Sequence, residues 1–206
     1  MDGAESVARD SAAARACDDD ATLIAGSLAA PERFGAVFDR HAPAVYRYAA
    51  RRLGPDAADD IVAETFLTAF RQRHRYDAAH PDAGPWLFGI ATKLIGRHRR
   101  DEVRFFRAIA RTGADPAAEP IADRATERVA AGAVRRQLAD ALAALSRGHR
   151  DVLLLTASGL GYSEVASALG IPVGTVSSRL VRARRKVRVT LGATDPTEAR
   201  GEPGHG

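Results

Sequence analysis

From Pro31 onward Phe34, Val37, Phe38, Val45, Tyr48 and Ala49 recur at helical spacing, predicting a helix with a kink or a fresh start at Pro43. Gly54-Pro55-Asp56 breaks that run and opens a second helix reaching about Arg73. Proline is tolerated in a first turn, and Asp59 and Asp60 complement the helix dipole. His74 to Ala83 is polar and reads as a loop. Gly84-Pro85 then starts a third amphipathic helix, taken as 85–104, with Leu87, Ile90, Ala91, Leu94 and Ile95 along one side. Helical spacing resumes at Val129, Val134, Leu138, Leu142 and Leu145, continues through Val152 to Leu155, and ends in two short helices around 163–169 and 174–189.

No segment alternates as a strand would, so the expected fold is all-α. Pro116 and Pro120 lie among Ala, Asp and Glu between the two periodic blocks. The chain therefore divides into a disordered tail (1–26), a helical domain (27–111), a flexible linker (112–127), a second helical domain (128–191) and a disordered C-terminal tail (192–206).

The formal net charge of +4 hides a segregation: acidic residues gather in the tails, the linker and 56–64, whereas Arg crowds into 97–111 and 179–188. Two basic faces follow, each suited to a polyanion. The single cysteine, Cys17, excludes a disulfide or a cysteine-based metal site within the chain and fits a reducing, cytoplasmic setting. Nothing approaches the run of about 20 apolar residues that a membrane span requires, so no membrane partner is expected. His41, His74, His80, His98, His149 and His205 show no metal-ligand spacing, and there is neither a nucleophile elbow nor a phosphate-binding loop. No catalytic site, metal or cofactor is expected.

The segment from Gly161 to Lys186 carries the grammar of a helix-turn-helix. Ser163 can cap a first helix, Gly170 suits the left-handed turn that ends it, and Gly174-Thr175 opens a second helix after Pro172. At about 100° per residue, Val176, Leu180, Ala183 and Val187 fall on one side of that helix. Thr175, Ser178, Val181, Arg182 and Arg185 fall on the other. Short polar residues let a helix N-terminus approach bases closely, and a guanidinium one turn later reaches guanine O6 and N7, which makes Arg182 the base-reading candidate. Arg179, Arg184, Lys186 and Arg188 flank it and suit phosphates. Treated as one helix, 85–104 carries Trp86, Lys93, Arg97, Arg100 and Arg104 in a stripe, an aromatic leading a row of cations that suits a single strand. Tyr76, in the preceding loop, is a second stacking candidate.

Asp59-Asp60-Ile-Val-Ala-Glu64-Thr65-Phe66, Pro85-Trp86-Leu-Phe-Gly-Ile90-Ala91, Arg99-Arg100 and Gly174-Thr175-Val-Ser-Ser178-Arg179-Leu-Val-Arg182-Ala-Arg184, in that order and separation, resemble the extracytoplasmic-function group of sigma-70-family factors. The resemblance implies a region 2 domain at 34–111 and a region 4 domain at 128–191. It implies a factor that binds core RNA polymerase and directs promoter recognition, DNA melting and transcription initiation. Asp59, Asp60, Glu64 and Thr65 then become candidate contacts to the polymerase clamp helices, with the flap as a second polymerase contact. Tyr76, Trp86, Lys93, Arg97 and Arg100 become candidates for the melted minus-ten element, with Lys93 where members commonly carry Asn. Thr175, Ser178, Arg179, Val181, Arg182, Arg184, Arg185 and Lys186 become candidates for the minus-thirty-five element. An anti-sigma factor is a further expected partner. The rival reading is a helix-turn-helix regulator that works without core polymerase.

Overall fold

The structure, a computed structural model, describes residues 18–112 and 125–192. Its elements are α1 (Asp20–Gly26), α2 (Gly35–Leu53), α3 (Pro55–Gln72), α4 (Gly84–Ile95), α5 (Arg99–Thr112), α6 (Ala125–Ala144), α7 (Arg147–Ala157), α8 (Tyr162–Leu169) and α9 (Val173–Thr190). Single 3-10 turns occupy Pro31–Phe34, Arg73–Arg75 and Gly96–His98. There is no strand among the described residues, and the all-α expectation holds. None of the described helices is long and apolar enough to cross a membrane.

Several expectations are corrected. The stretch read as a tail through residue 26 contains α1, capped by Asp19, whose side chain accepts from Thr22 N at 2.8 Å, and held by the buried Leu23 and Ile24. Two large apolar residues on so short a helix leave almost no periodic signal. The expected 85–104 helix is two helices, interrupted at Gly96–His98. α2 runs through Pro43 unbroken, with the proline exposed on its solvent side. Gly161, not Ser163, caps α8, and Glu164 Oε2 accepts from Gly161 N at 2.6 Å. The linker assigned to 112–127 is shorter, because Thr112 closes α5 and 125–127 open α6. Cys17, Pro116, Pro120 and the C-terminal residues from 193 lie outside the described residues.

The first half packs α2 against α3 and both against α4, around Val37, Val45, Tyr48, Ile61, Phe66, Leu87 and Ile95. In the second half α9 lies across α6, α7 and α8. Gly170 ends α8 at φ 63°, a left-handed conformation that glycine adopts at little cost, and Pro172 caps α9 two residues later. Val176, Leu180 and Ala183 are then buried as their spacing predicted.

The halves do not stand apart. α4 packs on α8, α5 packs on α6, and one apolar cluster runs without interruption from Leu23 to Leu180. At its centre Arg52 is fully buried, donating from Nε to Glu102 Oε1 (2.6 Å), from Nη1 to the Tyr48 hydroxyl (2.5 Å) and from Nη2 to Asp151 Oδ1 (2.6 Å). Arg150, equally buried, donates from Nη1 to Glu102 Oε2 (2.7 Å) and from Nε and Nη2 to the Leu142 and Leu145 carbonyls. Two cations meet two anions, so no net charge is buried. Burial alone would lower the Arg52 pKa, but Tyr48, Glu102 and Asp151 outweigh it and hold the guanidinium charged.

The burial of Leu180, 1% exposed, makes the packing of α9 testable. Leu180→Asp places an unpaired charge in that core, and the expected loss is about 4 kcal/mol or more of stability. Thermal melting followed by circular dichroism measures it. An unchanged melting curve contradicts this facing of α9.

Candidate nucleic-acid interface

Three surfaces carry the residues singled out by sequence. On α3, Asp59, Asp60 and Glu64 are exposed and form an acidic face beside the half-exposed Leu67. Glu64 lies 3.3 Å from Arg97, a pair exposed enough to contribute little stability. Thr65 departs from expectation: it is fully buried, its hydroxyl without a hydrogen-bond partner, so it supports the face from beneath and cannot touch another molecule there.

The second surface comprises the loop before α4 and the outer side of α4. Tyr76 and Trp86 meet at a tilt of 54°, ring centroids 4.9 Å apart, so the two aromatic candidates form one contiguous surface. The Tyr76 hydroxyl donates to the His80 carbonyl at 2.6 Å, and burial followed by the nearby Asp20 and Asp82 raises its pKa well above the ordinary phenol value. It therefore stays a donor. Lys93 lies two turns after Trp86 on the same face and is exposed.

The loop is anchored by a residue that sequence reading missed. Asp20, 2% exposed, accepts from Ala83 N at 2.8 Å, from the His41 ring at 2.6 Å and from Arg40, while its own N–H donates to the Pro81 carbonyl at 3.0 Å. Asp20, His41 and Asp82 bring ligand-type atoms within 4.8 Å of one another. Both Asp20 oxygens already accept from protein donors, so the cluster is a clamp on the loop. The available signal was Asp19-Asp20 ahead of an apolar pair, which local periodicity is too short to expose.

Arg97 and Arg100 are exposed, but the single stripe expected on 85–104 is broken, because Arg97 sits in the 3-10 turn and Arg100 on α5. Arg100 and Arg104 instead join Arg99, Arg107 and Arg111 along a groove of about 720 Å³ facing Asp140 of α6. Arg99, Arg107 and Arg111 were legible only as a count of arginines, since their shared groove depends on where the helix breaks.

The third surface is α9. Ser178, Val181, Arg182, Arg184, Arg185 and Lys186 are exposed and Thr175 is half-buried. Arg179 is also half-buried, its guanidinium lying against Gly148 in the first turn of α7. Arg182, Arg185 and Lys186 border a groove of about 640 Å³ between α9 and α6. His149 at its edge is shifted below the ordinary imidazole value, first by desolvation and then by Lys186, Arg179 and Arg182.

A helix-turn-helix with a basic second helix, joined to a helical unit bearing an aromatic platform and an acidic face, defines a DNA-binding protein of transcription. Comparison with known proteins agrees. Sigma-70 region 2 matches residues 37–105 and Sigma-70, region 4 matches residues 135–187. The ECF RNA polymerase sigma factor SigL of Mycobacterium tuberculosis is 39% identical over 160 residues, covering 76% of this chain and 87% of SigL. CnrH of Cupriavidus metallidurans is 34% identical over 185 residues, covering 85% and 96%. CnrH solved in complex with the cytosolic domain of CnrY superposes with a TM-score of 0.60 at 30% identity, over 86% of this chain and all of that one. RpoE of Bartonella quintana, solved with the anti-sigma factor NepR, shares the fold with a TM-score of 0.56 at 22% identity, over 80% and 99%. The chain belongs to the extracytoplasmic-function group of the sigma-70 family. It is a sigma factor that acts with RNA polymerase to direct transcription initiation.

The Asp20 clamp predicts how the platform responds to charge. Burial alone would raise the Asp20 carboxyl, but hydrogen bonds from His41 and Ala83 and the Arg40 charge hold it below its ordinary value. Its stabilising contribution is therefore complete above the unfolded value of about 3.9 and is lost as pH falls through the lower, folded one. Asp20→Asn keeps the volume and removes the charge. Trp86, the chain's only tryptophan, is expected to red-shift and become more quenchable in this variant at pH 7, and in the wild type only in strong acid. Identical emission from both chains contradicts the clamp.

Proposed function

We propose that α9 reads the minus-thirty-five element, with Arg182 on base edges, Arg185 on the same side, Thr175, Ser178 and Val181 allowing close approach, and Arg179, Arg184 and Lys186 holding phosphates. The observation that carries this reading is the division of α9 into a buried side (Val176, Leu180, Ala183) and an exposed side that holds Ser178, Val181, Arg182 and Arg185. In a major groove the exposed side faces the bases.

The melted minus-ten strand is assigned to the Tyr76/Trp86 platform, where a base stacks, with Lys93, Arg97 and Arg100 on its phosphates and edges. Lys93 offers donors only, so this pocket favours acceptor-rich base edges. The exposed carboxylates Asp59, Asp60 and Glu64 supply the docking face for the polymerase clamp helices, where complementary charge steers association. Region 4 makes the second polymerase contact, at the flap. The protein works by binding alone, in the cytoplasm, and is held in check by an anti-sigma factor, in keeping with the complex of RpoE with NepR.

The test separates base readout from phosphate holding in reconstituted holoenzyme. Arg182→Ala is expected to cost about 1–3 kcal/mol at the cognate element and to relax preference mainly at one base pair. Arg184→Ala is expected to weaken all sequences alike and to reduce the slope of log affinity against log salt by about one. Binding to promoter variants at several salt concentrations distinguishes them. Uniform weakening by Arg182→Ala together with altered base preference in Arg184→Ala moves the reading role to the other face of α9.

A further inference from the structure

Arg104, Arg107 and Arg111 of α5 have no part in reading either promoter element, yet with Arg100 they form an ordered set. At about 100° per residue these four fall within about 60° of one another, one exposed row about three turns long. Like charges three and four positions apart oppose helix formation. α5 forms in spite of them because Glu102 and Phe106, on its other side, are buried. Among the described residues, Arg104 is the one member of the row with an ion pair, to Asp101 at 2.9 Å.

The row lines the groove of about 720 Å³, together with Arg99, Val103, Ala110 and Asp140 of α6. A smaller depression of about 580 Å³ shares Arg99, Arg100 and Arg104 and adds Arg97, which extends the cationic lining past the start of α5. Five guanidiniums therefore stand against two carboxylates, Asp101 and Asp140, and the site carries a net positive charge. A guanidinium is a planar fork of donors that matches two oxygens of one phosphoryl group. Several forks in a row match several phosphoryl groups in one chain. The volume lies in the range of small-molecule sites, about 300–1,000 Å³. With α6 contributing to the lining, it suits a ligand that enters the groove better than a duplex that must lie across it.

We propose that this groove binds a small oligophosphate, a chain of linked phosphoryl groups, either free or carried on a nucleotide. Arg104, Arg107 and Arg111 hold successive phosphoryl groups, and Val103 and Ala110 offer a nucleobase its apolar contact. Arg100 lines the same groove and is also assigned to the minus-ten strand, so an occupied groove competes with that strand. This consequence rests on the promoter reading, whereas the site itself is a property of the free chain.

The test is calorimetric titration of the full free chain with inorganic tripolyphosphate, ATP and orthophosphate, at fixed ionic strength and without divalent cations. One tripolyphosphate per chain is expected, bound at least about tenfold more tightly than orthophosphate, which engages fewer forks. Arg107→Gln/Arg111→Gln is expected to weaken tripolyphosphate about tenfold or more. Arg47→Gln/Arg51→Gln removes the same charge from exposed positions of α2 outside the groove and is expected to leave binding unchanged. Circular dichroism of both variants is expected to match the wild type. ATP bound no more tightly than tripolyphosphate assigns the site to the phosphate chain alone, and ATP bound about tenfold more tightly assigns it to a nucleotide. Equal weakening by the two double variants, or no saturable binding, overturns the site. So does a short DNA duplex that binds the free chain more tightly than tripolyphosphate and depends on Arg107 and Arg111, since the groove is then a nucleic-acid surface. Neither of those two arginines is assigned to a promoter element, so promoter binding by the variant holoenzyme tests the functional reading separately and the two failures are distinguishable.

Discussion

Arg52 and Arg150 stay charged out of water because Glu102 turns one carboxylate oxygen to each, and Asp151 completes the pairing. Everything near this point is arranged around it. α5 must begin after a break at Gly96–His98 so that Glu102 points inward. α2 must carry an arginine one turn after Tyr48, and the start of α7 must present two adjacent charged residues to the interior. Removing one partner from such a set costs about 3–5 kcal/mol, because the other is left buried and unpaired, whereas the intact set gives little net stability. Its value to the molecule is geometric: it fixes how region 2 meets region 4.

The same constraint explains what the sequence could and could not disclose. Helix existence and type were legible wherever apolar spacing is long, as in α2, α3, α4 and α9, and the Gly170 turn with Pro172 announced the helix-turn-helix. Arg52, Glu102, Arg150 and Asp151 looked like ordinary surface charges, since burial of a charge depends on partners 48 to 99 positions away. For the same reason the halves read as independent units. α1 was lost because a seven-residue helix holds too few apolar positions to show a period. The break after Ile95 escaped because Gly96 alone does not end a helix whose cations continue in phase on either side.

At the candidate sites, residue type was easier to foresee than placement. The α9 faces sorted as the wheel implied, because Val176, Leu180 and Ala183 leave the opposite side no alternative but solvent. Thr65 was drawn into a surface motif by its neighbours although its own position faces the core. Tyr76 and Trp86 were chosen separately and proved to be one contacting pair, a relation set by the fold of the loop that Asp20 clamps. The arginines of α5 gained a shared groove only once α6 was packed against them.

We propose that this chain opens promoter DNA only as part of a polymerase complex, with its acidic α3 face supplying the link. Permanganate reactivity of unpaired thymines across the minus-ten region of a cognate promoter, measured with the chain alone, with core polymerase alone and with both, tests it most directly. Reactive thymines are expected only when both are present, and none when Asp60→Lys/Glu64→Lys replaces the wild type. Reactivity that appears with the chain alone, or that persists at full strength with the charge-reversed variant, would contradict it.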